Sequence, residues 1–490
     1  LAAAGRGCAQ AARIPSSTCR LQLNRDFGFE AAREILPYLA RLGIGDLYCS
    51  PVQRARPGSR HGYDVVDPRR ISPELGGECG FDALSAAAHR SGMGVLLDIV
   101  PNHMAVLAAD NPWWQDVLEH GQASARARFF DIDWHPPNPA FDGKLLIPVL
   151  GDHYGSALER GELVLRFDAG QGRFSIVYYE HELPIDPRES AAILRRALAQ
   201  PLLAQEKAVG EAGEPGDEAG EPGDEAGQAG GGVGVGVGEG GEGRLAGLRA
   251  LVDRFERLPA RIAAEVGGDA SDPAEPSREQ PGGRAAVALE CRRQLVRLVD
   301  DMPELRAAID AAVTAFNGES PESRDALDAL MERQAWRLAY WRVASDEINY
   351  RHFFDVNELA GLRVEDPVVF EATHGLVLDL VASGRVDGLR IDHSDGLFDP
   401  GAYFARLQAA CARRRGVDPP GAPARLTSSS RRSRPLMSAC QPTGRCTARP
   451  DTGSRRWPSS CSSIAPQRTG SIGPGAHSPA SAAASKRSRR

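Results

Sequence analysis

Residues Val95 to Val100 read Val-Leu-Leu-Asp-Ile-Val, an almost wholly apolar run broken by a single aspartate. Without polar alternation, such a run is buried on both faces, as the strands of a parallel sheet are. Parallel neighbours need a long crossover, usually a helix, so this run demands strand and helix alternation around it. The preceding sequence supplies that alternation. Thr18 to Leu23 alternates like a strand, and Phe27 to Leu42 places Phe29, Ala32, Ile35, Leu36 and Leu39 at helical spacing before Gly43. Ile44 to Cys49 reads as a second strand and Phe81 to Arg90 as another helix. For 490 residues this predicts an α/β fold, a (β/α)8 barrel rather than an open sheet.

After His103 the rhythm stops for more than two hundred residues. Apolar spacing predicts helices over Arg244 to Val266, Arg284 to Phe316 and Ser323 to Asn349. Residues 205–244 are low in complexity, with GEPGDEA at Gly213 and again at Gly220, and cannot bury enough apolar surface to offset their ordering entropy. Val368 to Ser383 reads as a helix leading into an apolar strand at Gly388. The expected organisation is a disordered start over 1–13, the first half of a barrel over 14–103 and a large, mostly helical insertion over 104–349. The insertion follows strand three and holds a disordered linker over 205–244. Barrel sequence resumes over 350–425, and a basic tail occupies 426–490. Four of eight barrel strands are represented in this reading.

Barrel enzymes keep their chemistry at the carboxyl ends of the strands, and three such ends carry reactive groups. In Gly388-Leu389-Arg390-Ile391-Asp392-His393-Ser394-Asp395, the period of two puts Arg390 and Asp392 on one face. An ordinary surface ion pair is the plain alternative. Asp98 interrupts a buried strand, which is costly unless the carboxylate is hydrogen-bonded, and Asn102 and His103 follow at its exit. A satisfied structural aspartate explains Asp98 equally well. The third end is the loop His61-Gly62-Tyr63-Asp64, whose tyrosine is either a platform for a sugar ring or an ordinary loop residue.

Together the D-x-V-x-N-H segment from Asp98, the G-x-R-x-D segment from Gly388 and the H-G-Y-D loop resemble the alpha-amylase superfamily of retaining glycosidases and transglycosylases. Arg20 to Leu23, Tyr48 to Pro51, His61 to Val66, Tyr350 to Arg363 and Gly388 to Leu397 resemble, within it, the maltooligosyltrehalose synthases. That resemblance covers roughly residues 14–415 outside the linker. It implies a glucosylmutase, an isomerase that turns the reducing-end α-1,4 link of a maltooligosaccharide into an α,α-1,1 link. Asp392 would be the nucleophile, with Arg390 holding it charged and oriented. His103 would bond sugar hydroxyls, and Tyr63 would stack beneath the sugar with Asp64 beside it. Asp98 and Asn102 would brace the pocket, and His393 and Asp395 would line it for the released glucose or serve only the loop. The resemblance implies no cofactor and no metal. Another amylase-type hydrolase or transferase, or a catalytically dead glucan-binding protein, remains as an alternative.

Composition narrows the class further. The net charge of −7 gives no footprint for nucleic acid or membrane. No stretch reaches the roughly 20 apolar residues of a membrane span. Nine cysteines without a C-x-x-C pair suit a reducing compartment, so a cytoplasmic protein is expected; the resemblance implies a maltooligosaccharide as its partner, and a monomer is expected. The average hides two compositions. From Leu426 onward there are 12 basic residues, one acid and no glutamate, against 46 basic and 64 acidic residues before it. The acid/base glutamate and third carboxylate that the superfamily requires are not found. Read one base out of step, the codons for Thr427 to Ser433 permit Val-Val-Val-Glu-Lys-Ile, and those for Gln441 to Arg449 permit Ala-Asp-Trp-Pro-Val-His-Gly-Thr. A frame shift near residue 425, or truncation, is therefore expected, and with it a chain without turnover.

Overall fold

The computed structural model describes residues 14–107, 110–200, 241–261, 283–416 and 428–430. The expected disorder of 1–13 and of the linker up to residue 240 lies outside the described residues, as does the tail apart from 428–430.

Strand β1 (Thr18–Leu21) is followed by helices α1 (Phe29–Glu34) and α2 (Leu36–Arg41) and by β2 (Asp46–Cys49). The single predicted helix is thus split, because Pro37 brings no amide hydrogen and starts a new first turn. Helix α3 (Gly77–Arg90) begins four residues before its predicted start and leads into β3 (Gly94–Ile99). After β4 (His103–Ala105) and the insertion come β5 (His352–Phe353), β6 (Val356–Gly361), α4 (Pro367–Ala382), β7 (Gly388–Ile391), α5 (Pro400–Arg414) and β8 (Ser428–Ser430).

The main sheet is parallel throughout, in the order β1-β2-β3-β7-β8. Spatial order that follows chain order is single winding, the topology of a (β/α) barrel wall and not of a doubly wound sheet. Four strands were expected, and the described residues add β8 as a fifth. Leu47, Val95, Leu97, Leu389 and Ile391 fill the sheet's buried positions. Helices α1 and α3 lock together through an edge-on Phe29–Phe81 pair, ring centroids 5.5 Å apart. Asp387 ties the start of β7 to β3 by accepting from the Val95 amide at 2.8 Å.

The insertion is helical but also holds strands that the apolar spacing did not reveal. Val164–Asp168, Arg173–Tyr178 and His181–Pro184 form an antiparallel sheet. The predicted helix over Ser323 to Asn349 ends at Glu332, and Trp336–Tyr340 instead pairs in parallel with Leu145–Leu150. The helix predicted from Arg284 breaks at Met302, where Pro303 opens a new one. Gly241–Glu256 is helical, so the linker assignment to residue 244 runs four residues too far.

Candidate active site

The carboxyl ends of four parallel strands converge on one carboxylate. Asp98 on β3 is fully buried, and its Oδ2 accepts from the hydroxyls of Tyr48 on β2 (2.7 Å) and Tyr63 (2.6 Å). Arg390 on β7 donates from Nη1 to both Asp98 oxygens, at 2.8 and 2.9 Å. Arg20 on β1 stands 3.7 Å away, its guanidinium over the Tyr48 ring. The same Arg390 Nη1 reaches Asp392 Oδ1 at 2.5 Å. Arg390 and Asp98 are paired in register across β7 and β3, so the side chains face the same way. The Asp392 amide still donates to Ile99 O at 2.9 Å, which holds Asp392 in the ladder although the strand proper has ended.

These contacts set the charges. Burial works against the Arg390 charge, but Asp98 and Asp392 more than offset it and raise its pKa. Burial pushes the Asp98 carboxyl up, while Arg390 and the two phenols favour its charged form. The Tyr48 hydroxyl is driven up to about 12 by burial and by the neighbouring Asp98, so it stays a donor. Asp392 keeps 19% of its side chain exposed, against 0% for Asp98 and 9% for Arg390. It is the carboxylate that a ligand can reach.

His103 on β4 lies against this group. It is buried, and neither ring nitrogen completes a hydrogen bond of ordinary geometry. Burial drops its pKa to about 3, with the Tyr63 main chain acting slightly in the opposite sense. The Phe353 ring covers it at 4.2 Å between centroids. Asn102 is buried and accepts from Arg351 at 3.0 Å, while its carbonyl receives the Leu362 amide. It therefore ties the segment around Arg351 and Leu362 to the strand end. Tyr63 is half-buried, held by Asp98 and tilted against His61. Asp64 accepts from the Ser59 hydroxyl and lies 3.7 Å from His61, so it braces its own loop.

His393 takes the left-handed conformation (φ 48°), which is strained for a residue with a Cβ. Its ring packs on Phe353 and Phe354 at 4.8 and 4.9 Å and lies 3.6 Å from the largely exposed Asp395. A side chain at Gly396 would push against the His393 ring, which would have to move. A cavity of about 480 Å3 opens beside the group, lined by Asp131, Asp133, Asn138, Glu347, Tyr350 and Arg351.

Every site residue expected from the sequence is thus placed, but in unequal roles. Asp98, Arg390, Asp392 and Tyr63 share one hydrogen-bonded network, His103 and Asn102 flank it, Asp64 belongs to its loop, and His393 and Asp395 form a turn at the edge. Arg20, Tyr48, Arg351, Phe353 and Phe354 were not among the expected site residues. Arg20 and Tyr48 sit near strand ends on β1 and β2, so the rule that singled out Arg390 also finds them. Arg351 and the phenylalanines come from a hairpin that only tertiary contact brings in. Among the described residues, no group of three or more His, Cys, Asp or Glu is placed to hold a metal ion, and no helix is long and apolar enough to cross a membrane.

The family profile "Alpha amylase, catalytic domain" matches residues 31–162. A maltooligosyl trehalose synthase of Mycobacterium tuberculosis is 30% identical over 398 residues, covering 80% of this chain and 32% of its own length. The maltogenic alpha-amylase of Bacillus acidopullulyticus is 33% identical over 135 residues, 26% of this chain and 22% of its own. The solved maltooligosyltrehalose synthase of Arthrobacter ramosus aligns at 31% identity with a TM-score of 0.49, covering 85% of this chain and 34% of that one. The chain spans about a third of the length of the curated relatives it matches in this way.

Proposed function

We propose, for a chain that is a relative of the maltooligosyltrehalose synthases within the alpha-amylase superfamily, that the strand-end group is the nucleophile half of a maltooligosaccharide glucosylmutase site. The observation that carries the reading is Asp392, partly open to solvent and held at 2.5 Å by an arginine that Asp98 anchors from behind.

In a retaining mechanism a carboxylate attacks the anomeric carbon while a carboxylic acid protonates the leaving oxygen. The Asp392 carboxylate forms the bond to the anomeric carbon next to the reducing-end glucose, and the α-1,4 bond to that glucose breaks. The second carboxyl group gives its proton to the departing oxygen. The retained glucose turns and attacks through its anomeric hydroxyl, whose own proton passes to the second carboxylate, and an α,α-1,1 link replaces the bond to Asp392. Arg390 orients the nucleophile, and Asp98 fixes Arg390. His103, neutral and without a well-formed bond of its own, is available to a sugar hydroxyl once Phe353 gives way. Phe353 and Phe354 offer apolar rings to the sugar's apolar face. Retaining the glucose requires water to be excluded, a task suited to the inserted lobe and the β5–β6 hairpin.

The other carboxyl group on Arg390, Asp98, is fully buried and also bonded to two phenols, and no acid is assigned among the described residues, so the chain as written is expected to turn over no substrate. Incubation with maltohexaose tests this. No loss of reducing ends is expected from this chain, whereas a steady yield of non-reducing product would mean that the chain as written already carries the acid.

A further inference from the structure

Exposed aromatic rings gather at one end of the inserted lobe. The strands Leu145–Leu150 and Trp336–Tyr340 run parallel, with Tyr340 opposite Leu150 at their carboxyl ends. The Trp341 ring stands 6.0 Å from that of Tyr340, inclined to it by 71°, and is 52% exposed. His153, in the loop after Leu150, lies 5.3 Å from the Tyr340 ring, and the Arg342 guanidinium reaches over both Tyr340 and Trp341. The same loop leads to a further ring. The Gly151 amide donates to the Tyr178 hydroxyl at 2.8 Å, and the next residue, Tyr179, is 70% exposed in the left-handed conformation (φ 48°). Single exposed apolar residues need no explanation, but gathered ones mark a binding surface, and backbone held in this strained region clusters at ligand clamps.

The rings are continuous with the candidate active site. From Arg342 the chain turns back through the short helix Ala344–Glu347 to Asn349, which accepts from the Leu146 amide and donates to Lys144 O at the opposite end of the same strand pair. A strand's length, about 15 Å, thus separates Asn349 from the rings. Asp346, Glu347, Asn349 and Arg351 line the 480 Å3 cavity over this stretch. At its far end Arg351 donates to Asn102, the neighbour of His103. Carboxylates, an amide and a guanidinium suit the hydroxyl rim of a sugar, and the rings suit its apolar face. A mutase of the proposed type acts on the link next to the reducing-end glucose. One unit then lies beyond that link, and every other unit of the substrate leads out of the site in the other direction. Successive α-1,4 units turn relative to one another, so rings inclined to each other fit them better than coplanar ones.

We propose that this cavity and the Tyr340–Trp341 rings form a distal track for the non-reducing part of an α-1,4-glucan, with Trp341 stacking on the chain as it leaves the site. The ligand rests on the proposed function, but the track is tested apart from it. In the full chain, affinity read by titration calorimetry is expected to rise from maltotriose, which fills only the site itself, to maltoheptaose, and maltoheptaose is expected to change the tryptophan emission. Trp341→Ala is expected to weaken maltoheptaose binding about tenfold, to remove most of the emission change and to leave maltotriose binding as it was. Tyr38→Ala, which takes a comparably exposed ring from helix α2, should alter neither affinity. An affinity that does not rise with length, an unchanged maltoheptaose affinity in Trp341→Ala, or equal binding of cellohexaose overturns the track. So does sedimentation showing that Trp341→Ala separates copies of the chain while glucan affinity stays the same. The two proposals fail separately. The donor α-maltosyl fluoride carries two units and a leaving group that needs no acid, so its adduct at Asp392 forms equally in the parent and in Trp341→Ala. A missing adduct in the parent, with the effects of Trp341→Ala on maltoheptaose in place, counts against the nucleophile and keeps the track.

Discussion

Two buried carboxylates in this molecule are held by guanidinium groups, and they have opposite meanings. In the inserted lobe Asp186 is engaged at both oxygens: Arg284 donates to Oδ1, as does the Arg188 amide at 2.9 Å, and Arg261 meets Oδ2 at 2.9 Å. Arg284 also reaches His120, whose pKa burial lowers to about 4. At the strand ends Asp98 is equally buried and held by Arg390, Tyr48 and Tyr63. There the network continues to a carboxylate with an exposed face, Asp392, and borders a histidine without well-formed hydrogen bonds. In the lobe the carboxylate itself has no open face, since both Asp186 oxygens are bonded and its side chain is 4% exposed. A charged network alone therefore does not mark a site; bonding capacity left facing solvent at a strand end does.

Substitutions that cut each network separate the two roles. Arg284→Ala takes the buried guanidinium from Asp186 and His120 together, leaving Asp186 only Arg261 and the Arg188 amide, and is expected to cost about 3–5 kcal/mol of stability, read by urea unfolding. A loss below 1 kcal/mol would contradict this description of Asp186. Arg390→Ala leaves Asp98 its two phenol donors, so a smaller loss of about 3 kcal/mol is expected. A loss equal to that of Arg284→Ala would erase the distinction. Tyr63→Phe removes one of several bonds to Asp98 and should cost about 1 kcal/mol, with Tyr48→Phe similar. If either exceeds Arg390→Ala, the phenols and not the guanidinium carry the site.

Acid sharpens the comparison by a smaller amount. His103 titrates near 3, and His120 and His374 near 4, because burial disfavours their charged forms. In the unfolded chain each titrates near 6.5. Between about pH 6.5 and 4 the unfolded state binds more protons, so stability is full above that window and falls as the pH drops through it. The midpoint of thermal unfolding should decline from pH 7 to pH 4. His374→Phe keeps the stack on Phe370 and should flatten the decline by about one proton's worth; an unchanged slope would show that His374 is not buried in its neutral form.

Much of the wall was legible because burial on two faces leaves an unmistakable mark, as in Val95 to Val100. The charged residues that break such runs, Asp98, Arg390 and Asp392, were legible for the same reason. The contacts of Asp64 with Ser59 and His61 inside its own loop could not be read from the sequence, since they depend on the turn the loop makes. Phe353 and Arg351 could not be placed, because β5 and β6 reach His103 across an insertion of more than two hundred residues. The strand Trp336–Tyr340 was taken for helix because five residues of mixed polarity carry both periods, and only the partner Leu145–Leu150 decides between them.

The central claim is that Asp392 is the glycosyl-accepting carboxylate. Intact-mass measurement of the chain after exposure to α-maltosyl fluoride tests it without needing the absent acid, because fluoride leaves unprotonated. The account predicts a gain of one maltosyl group, located on the peptide containing Asp392 and absent from the Asp392→Asn variant. An adduct of equal yield in that variant, or one located elsewhere in the chain, would contradict it.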